Sequence, residues 1–466
     1  MRTIHFNSSK ERIIASVGAS LIGTILDRSG FIIACNNLGV ASLHPFAPIK
    51  VGDLFAVTIA NLCRGERSFE STREYENDEA FYLEALGIDR IPSPEILRQR
   101  LDEIGMCYDG PMSVHNALRD MNVQLLLDNG AVFTAIPEGF VPLDIDVTPF
   151  DESKSHKEGV GRTYKNFDGY APLNCYLGGI EGYLINVDFR VGTQHSQKGT
   201  PKVLIETIDI ANRLIGSQNL LVRLDSGNDA IDNLGLLMER GHYFIVKRNL
   251  RHETKEGWLD LAKENAPIHE NPREGKDVYI GSTWKPVTYV GMDGKKKTTT
   301  VRIVFEVTER TIDKNGQVLM FPDIEVNTWW DNTGLNDKRV IELYHEHATM
   351  EQYHSEIKTD MGVEKMPSGK FGTNRLMQDL IVIAYNVLRL IGMELNGAPN
   401  LPMQKPAYRR RIRTVINHVM LCPGRVKTSG RCTYVDLGGS NVWAATVVWL
   451  NRRFNRCVEE AAEQAA

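Results

Sequence analysis

The chain has 466 residues, of which 42% are hydrophobic and 24% charged, a composition typical of a soluble globular protein with about two to four domains. The net charge of −5 and the pI of about 6.2 exclude a general positive field for nucleic acid, so any DNA partner must be held by local basic patches. The seven cysteines form no CxxC pair, which argues against a disulfide framework or a zinc finger and favours a reducing cytosol.

Two apolar stretches are predicted to be core helices rather than membrane spans. The first, 11–27, is closely flanked by charged residues and is not followed by a small-residue cleavage site. The second, 380–395, contains Asn386 and Arg389 and is too short to cross a bilayer. We therefore expect no membrane partner.

The N-terminal region, 1–135, is predicted to be helical. Ser93 is a typical N-cap and Pro94 a typical first helical residue. A short helix pair with Arg98 and Arg100 on its second member fits a DNA-reading helix-turn-helix, and it fits a plain helical bundle equally well. The predicted helices are Asp53–Cys63, 77–86 and Glu95–Ile104.

The segment 136–249 has the clearest order of elements. Three consecutive strands are followed by alternating helices and strands, which is the order of an RNase H-like fold. The predicted strands are Val141–Thr148, Tyr170–Leu177, Tyr183–Val191, Leu220–Leu224 and His242–Val246, with helices over 201–215 and 229–240.

The rest of the chain divides into three parts. Long strands and the hairpin turns Asp293-Gly294 and Asn315-Gly316 predict a β-rich insertion over 250–332. The core then resumes over 333–395 with a helix from Asp337 to about Asp360 and an apolar helix at 376–395. A basic C-terminal region, 396–466, ends the chain and is a candidate for DNA contact or dimerisation. The predicted class is α/β: an RNase H-like mixed sheet interrupted by a β-rich insertion, with helical terminal regions.

Three acidic residues have predicted positions that suit a metal site. Asp146 lies at the exit of the first strand, Asp225 ends the fourth strand, and Glu351 lies on the late helix. Ligands of α/β sheets collect at the carboxyl ends of strands, and carboxylate oxygens are the ligands that Mg²⁺ or Mn²⁺ prefers. Two such ions would support phosphoryl transfer. Each acid alone also fits a structural role, and Asp144 faces the same way as Asp146.

The late helix aligns four chemically distinct side chains in the pattern Tyr344-x2-His347-x3-Glu351-x6-Lys358. At about 100° per residue they fall at roughly 0°, −60°, −20° and −40°, which is one narrow face. Glu356 lies off this face at about 120°, so Glu351 is the preferred third acid. The four residues on this face are suited to a site that binds a metal ion and phosphates.

These patterns together resemble a known family. The segments Leu143–Thr148, Arg223–Gly227, Tyr344–Lys358 and Pro367–Phe371 are similar to those of bacterial insertion-sequence transposases of the DDE class, in the group marked by Y-x2-R-x3-E-x6-K. The helix motif is the more specific signal, and the two aspartate strands are weak alone.

The resemblance implies an activity and its partners. Asp146, Asp225 and Glu351 would be the metal triad holding two Mg²⁺ or Mn²⁺ ions. The enzyme would cut phosphodiesters at the terminal inverted repeats of its element and join the freed 3′-hydroxyls to target DNA. A homodimer would pair two double-stranded ends in a synaptic complex, and the location would be the bacterial cytoplasm, at the nucleoid. The alternatives are a non-catalytic DNA-binding protein derived from a transposase and a structure-specific nuclease.

The resemblance also assigns DNA contacts. Tyr344 and Lys358 would contact phosphates near the element end. The motif's arginine is His347 here, so the contact is either weaker and sensitive to pH or supplied by another residue. The candidates for that replacement are Lys247, Arg248 and Arg339.

Two further groups are candidates for DNA binding. Trp329 and Trp330 close the β-rich segment, where one of them would stack on a flipped base; the alternative is that both are core residues. The cluster of Arg409, Arg410, Arg411 and Arg413 is predicted to lie on a helix and to bind backbone phosphates, and the alternative is a solvated basic surface.

Overall fold

The structure is a computed structural model that describes residues 4–5, 8, 10–109, 113–403 and 405–465, with residues 456–465 described by their backbone alone. The N-terminal region is helical, as predicted. Ser93 accepts a hydrogen bond from the Ile96 amide and Pro94 starts its helix, so the predicted cap is confirmed. The elements of this region are β1 (Ile13–Ile14), α1 (Ala19–Arg28), α2 (Phe31–Asn36), α3 (Val51–Cys63), α4 (Glu79–Leu86), α5 (Pro94–Met106) and α6 (His115–Asp128), with 3-10 turns at Gly39–Leu43 and Phe69–Asp78.

The centre of the molecule is a mixed α/β fold built on a large mixed sheet. Its first elements are β2 (Phe140–Val147), β3 (Phe150–Asp151), β4 (Gly161–Arg162), β5 (Asp168–Tyr170), β6 (Leu173–Leu177), β7 (Tyr183–Asp188), α7 (Thr200–Ile215), β8 (Asn219–Leu224), α8 (Ile231–Glu239) and β9 (Tyr243–Lys247). The strand order is β7-β6-β2-β8-β9, in which β2, β8 and β9 are parallel and β6 is antiparallel to both β2 and β7. The predicted strands and helices of this segment are confirmed within a few residues at their ends. The short strands β3, β5 and β4 lie between β2 and β6 in the chain and form a small separate sheet.

Four further strands, three of them long, extend the sheet beyond β9. They follow a helix that the β-rich prediction missed, although Thr254 caps it by accepting a hydrogen bond from Gly257 N. The two predicted hairpin turns are present, with φ of 74° at Gly294 and 86° at Gly316. The elements are α9 (Lys255–Asn265), β10 (Ile268–Arg273), β11 (Lys276–Val290), β12 (Lys296–Ile312) and β13 (Val318–Asp331), and β13 pairs with β9.

The predicted single helix from Asp337 to Asp360 is three consecutive pieces. They are α10 (Asp337–Glu346), α11 (Thr349–Ser355) and a π-helical turn, Glu356–Asp360. The chain leaves the regular helix at His347 and Ala348, so a constant 100° step does not run through the whole motif. The prediction of one uninterrupted face was therefore wrong.

The longest helix, α12 (Phe371–Glu394), is the core of the molecule. It packs against α3, α5, α6 and β7. It is long and apolar enough to cross a membrane, but 94% of its apolar window is buried within the protein, as expected of a core helix. The remaining elements are the 3-10 turn Leu395–Gly397, α13 (Ile412–Val415), a π-helical turn at Ile416–Met420, β14 (Gly424–Ser429), β15 (Cys432–Leu437) and α14 (Ala444–Ala465).

Candidate active site at the carboxyl edge of the sheet

Asp146 and Asp225 meet at one edge of the central sheet. The strands β2 and β8 are parallel neighbours, and their last paired residues are Ile145 and Leu224. Each aspartate follows the paired residue of its strand, so both carboxylates project from the same carboxyl edge, where ligands of α/β sheets bind.

The two carboxylates are close enough to disturb each other. Burial, and then the negative charge of Asp146, raise the pKa of Asp225. Asp225 Oδ1 accepts a hydrogen bond from Asn228 Nδ2 at 2.7 Å, and Asp146 Oδ1 accepts one from the Val147 amide at 2.7 Å. Among the described residues, no lysine or arginine forms an ion pair with either group. Within the described residues, the edge therefore holds two acids without a lysine or arginine partner, and His354 Nε2 lies 3.5 Å from Asp146 Oδ2.

Glu351 lies in the same region but stands apart from the pair. Its side chain is exposed in the first turn of α11. Burial, and then the charges of all three acids, raise the pKa of Tyr164, so Asp146, Asp225 and Glu351 all act electrostatically on one hydroxyl. In the described part of the chain no group of three or more His, Cys, Asp or Glu residues is close enough to hold a metal ion. The structure brings Asp146 and Asp225 to one edge of the sheet, and within the described residues Glu351 does not complete a three-residue ligand group with them.

This donor set fits a divalent cation. Carboxylate oxygens are the preferred ligands of Mg²⁺ and Mn²⁺, which keep several water ligands and need only one or two carboxylates from the protein. Two like charges at one edge disfavour ionisation of one of them, as the pKa of Asp225 shows. A cation between Asp146 and Asp225 would remove that penalty.

Asp144 has a different environment from Asp146, although both belong to β2. Arg223 donates to its two oxygens at 2.6 and 2.7 Å, and His347 Nδ1 lies 2.8 Å from Oδ1. Burial would raise the pKa of Asp144, but the charges of Arg223 and His347 outweigh it and lower the pKa to about 2. Because both oxygens of Asp144 are occupied, Asp146 is the better candidate for a metal ligand.

Tyr344, Lys247 and Trp329 form a packed cluster beside the acids. The Lys247 ammonium lies 5.5 Å from the Trp329 ring centre and 5.9 Å from that of Tyr344. Burial, and then the charges of Asp225 and Asp146, raise the pKa of Tyr344. Lys247 is half-buried and donates to Asn327 Oδ1 at 2.8 Å. Of the three candidates for the cationic role of the motif's arginine, Lys247 is therefore the one beside Tyr344.

The other two candidates are engaged elsewhere. Arg248 is buried and donates to both oxygens of Glu253 at 2.8 and 3.1 Å. Arg339 donates to Glu138 Oε1 at 2.6 Å. His347 itself is 8% exposed and bonded to Asp144, so in this structure it belongs to the buried network rather than to an open phosphate site.

Lys358 lies in the π-helical turn Glu356–Asp360, which follows α11. Its ammonium lies 5.9 Å from the Phe150 ring centre. Burial lowers its pKa, and the charges of Glu364, Glu351 and Asp146 oppose that effect. Lys358 is therefore a half-buried cation within electrostatic reach of two of the three acids.

The stacking prediction for Trp329 and Trp330 is corrected by their burial. Their exposed fractions are 0% and 4%, so neither indole is open to a flipped base. Trp330 Nε1 donates to Asp229 Oδ1 at 2.9 Å, and the Arg248 guanidinium lies 4.6 Å from the Trp330 ring centre. Both tryptophans are core residues, which is the alternative that the sequence left open.

The arginine cluster is also placed differently from the prediction. Residues 409–411 precede α13 and are not helical. The side chain of Arg409 is 7% exposed and pairs with Glu356, and Arg410 is 8% exposed and donates to the Lys405 carbonyl. Burial removes these two from a phosphate-binding surface. Arg411 and Arg413 remain partly exposed, but both pair with Asp360.

Two neighbours of the acids were missed in the sequence. His354 is 3% exposed, and its Nε2 lies 3.5 Å from Asp146 Oδ2 without a hydrogen-bond partner in the described residues. Its Nδ1 lies 3.2 Å from the Tyr176 hydroxyl. Tyr164 donates to the Val147 carbonyl at 3.1 Å, directly after Asp146. The signal for His354 was its position one helical turn after Glu351; no pattern marked Tyr164.

A family model and a solved structure match this chain. A family model described as transposase DDE domain group 1 matches residues 52–458. No curated protein matches the chain. Among solved structures, the chain is similar to the piggyBac transposase synaptic complex with hairpin DNA, with a TM-score of 0.41, 11% identity, and coverage of 88% of this chain and 80% of that chain.

Proposed function

The chain belongs to the transposase DDE domain group 1 family and is a DNA transposase, and from this premise we propose that Asp146, Asp225 and Glu351 form its catalytic metal site. DDE transposases generally use divalent metal ions and act as nucleotidyl transferases or endonucleases. The three acids would hold two Mg²⁺ or Mn²⁺ ions. The observation that carries the proposal is the unneutralised pair of Asp146 and Asp225 where two parallel strands end.

The reaction is cleavage of phosphodiesters at the ends of the element, followed by attack of the freed 3′-hydroxyls on target DNA. Bound divalent ions would supply an activated nucleophile and stabilise the leaving oxygen. The chain itself holds and orients the DNA backbone. Lys358 is a half-buried cation within electrostatic reach of Glu351 and Asp146, and Lys247 is a half-buried cation 5.9 Å from the Tyr344 ring centre. These three residues would bind phosphates close to the scissile bond.

The fold supports the same proposal. The segments 136–249 and 333–395 would form an RNase H-like catalytic core, whose sheet is β7-β6-β2-β8-β9. The segment 250–332, with α9 and the four strands β10 to β13, would be an insertion before the Glu351 helix. The helical region 1–135 and the region 396–466 would contribute DNA contacts and dimerisation.

The partners follow from the reaction. Double-stranded DNA with terminal inverted repeats would be the first substrate, and target DNA the second. A homodimer would bring two ends together in a synaptic complex. In a bacterial host the protein would act in the cytoplasm at the nucleoid.

The test is a nicking and joining assay on linear duplex DNA that carries the sequences flanking the gene. Asp225→Asn should abolish Mg²⁺-dependent nicking and leave binding of the ends intact, because the carboxamide keeps the shape and loses the charge. The matched control is Asp232→Asn, at an exposed aspartate on α8, which should cut like the wild type. Normal nicking by Asp225→Asn would refute the site assignment. Nicking without joined products would identify a nuclease instead of a transposase.

A further inference from the structure

The π-helical turn that carries Lys358 has an acid at each end, and both acids are buried. Glu356 is 0% and Asp360 9% exposed. Lys358 lies midway between them in the turn. Its ammonium lies 5.9 Å from the ring centre of Phe150, four residues after Asp146, and the charges of Glu364, Glu351 and Asp146 oppose the lowering of its pKa by burial. Single π-helical turns are rare and frequently occur at functional sites. What holds this turn therefore also sets the position of Lys358.

Arginines hold the first acid. Arg389 pairs with Glu356 Oε2, and Arg409 Nη1 lies 3.1 Å from the same oxygen. The Ile412 amide donates to Glu356 Oε1 at 3.3 Å. Arg389 also donates to the Arg410 carbonyl at 2.9 Å. The carboxylate therefore joins the turn to α12 and to the segment 409–413 at once.

The second acid is held by the same segment. Arg411 Nε and Nη2 lie 2.6 and 3.0 Å from the two oxygens of Asp360, and Arg413 Nη2 lies 2.9 Å from Oδ1. Arg411 Nη2 also donates to Ser355 Oγ at 2.9 Å, and the Arg413 amide to Asp360 Oδ2 at 3.3 Å. Backbone amides and arginine side chains of the segment 409–413 thus form hydrogen bonds and ion pairs with the acids at both ends of the turn.

We propose that the segment 409–413, here called the arginine clamp, is a positioning device that holds the π-helical turn and places Lys358 beside the catalytic acids, and that it is not a DNA backbone contact. This inference rests on the proposed function, which gives Lys358 its role. Desolvating Glu356 and Asp360 is costly unless each charge is paired and hydrogen-bonded, and the arginines supply those partners. An arginine already neutralised by a carboxylate releases few counterions on binding DNA.

Two single variants and their combination separate the clamp from a DNA contact. If the clamp positions Lys358, Arg411→Ala should lower the cleavage rate at saturating end DNA by about tenfold or more, because small displacements at a reacting centre are costly. The Kd for DNA and its salt dependence should not change. Asp360→Asn should lower the rate in the same way, and the double variant should be no slower than the slower single one, because both lesions break the same contact.

A DNA contact predicts the opposite pattern. Arg411→Ala would then weaken binding, reduce the salt slope by about one per lost phosphate contact, and leave the rate at saturating DNA unchanged. Asp360→Asn would free Arg411 and Arg413 and tighten binding without slowing cleavage. Either of these results would overturn the clamp.

Two controls keep the outcomes distinct. Arg213→Ala removes an exposed ion pair between Arg213 on α7 and Asp120 on α6 and should change neither rate nor binding. Hydrogen exchange of the amides 356–363 should accelerate in Arg411→Ala and not in Arg213→Ala. If the wild type itself does not cut, the proposed function fails, and the exchange result still decides whether 409–413 holds the turn. Unchanged exchange in Arg411→Ala, with normal cleavage, would refute the clamp alone.

Discussion

Asp144 and the pair Asp146 and Asp225 lie close together on β2 and at the end of β8. They differ in whether a cationic side chain neutralises the carboxylate. Asp144 is fully buried, with Arg223 on both oxygens and His347 at 2.8 Å. Asp146 and Asp225 are half-buried and lack a lysine or arginine partner in the described chain. The two β2 residues are separated by only two positions and face the same side of the sheet.

The difference separates a structural role from a functional one. Arg223 also donates to the Leu343 carbonyl at 2.6 Å, so the Asp144 network ties α10 to the sheet. Asp146 and Asp225 accept local hydrogen bonds from Val147 and Asn228, and Asp146 lies 3.5 Å from His354 Nε2. Their mutual repulsion disfavours the doubly charged pair. Groups with perturbed pKa values and no structural compensation cluster at functional sites. Substitutions in the two groups should therefore have opposite effects on stability and on activity.

The largest expected effect is on catalysis. Asp146→Asn should lower the rate of Mg²⁺-dependent cleavage roughly a thousandfold or more, as loss of a group that acts as part of a catalytic unit does. The free energy of unfolding should stay the same or rise, because the repulsion with Asp225 is removed. Chemical unfolding and single-turnover cleavage measure the two quantities. A variant that loses stability together with activity would place Asp146 in the structural group.

The second effect is on stability. Asp144→Asn should lower the free energy of unfolding by about 3–5 kcal/mol, because it leaves Arg223 buried without its partner. The folded-state pKa of Asp144 is about 2, below its ordinary value of 3.8. The carboxylate's contribution is therefore present above about pH 4 and is lost as the pH falls through 2.

Urea unfolding of the wild type and Asp144→Asn across this range measures that dependence. The difference in free energy of unfolding should be largest near neutral pH and should shrink below pH 4. A difference that is independent of pH would show that the charge of Asp144 is not what stabilises the network.

The smallest effect concerns His354, which lies on α11 and contacts Asp146 of β2 and Tyr176 of β6. Its Nε2 is 3.5 Å from Asp146 Oδ2 and its Nδ1 is 3.2 Å from the Tyr176 hydroxyl. His354→Phe should reduce activity about 10- to 100-fold, as loss of a group that orients a metal ligand does. The loss should appear as a higher Mg²⁺ requirement, and His354→Asn should restore part of it. An unchanged Mg²⁺ dependence in His354→Phe would reduce its role to packing.

Local patterns were enough to predict the elements that position the acids. The alternation of Leu143, Asp144, Ile145 and Asp146 predicts both the strand and its faces, and parallel pairing with β8 then brings Asp225 to the same edge. The cap at Ser93 and the turns at Gly294 and Gly316 are also local signals. The sequence could not decide whether Asp144 or Asp146 is neutralised by an arginine. The partner of Asp144 is Arg223, which lies 79 residues later in the chain.

The errors have the same origin. Trp329 and Trp330 alternate like strand residues, but both faces of β13 are covered at that point, so both are buried. The arginines of 409–413 look like a solvated basic patch until Glu356 and Asp360, some 50 residues away, are placed against them. The break at His347 and Ala348 follows a helix whose pattern gives no local stop signal. Tertiary pairing decided each of these cases.

The most direct test of the metal site is the binding of Mn²⁺ to the complex of the protein with end DNA, measured by electron paramagnetic resonance. The wild type should bind Mn²⁺ at the active site, and Asp225→Asn should lose that binding while Asp144→Asn, where it remains folded, retains it. Equal numbers of bound ions and equal affinities in the wild type and Asp225→Asn would contradict the assignment of these carboxylates as metal ligands.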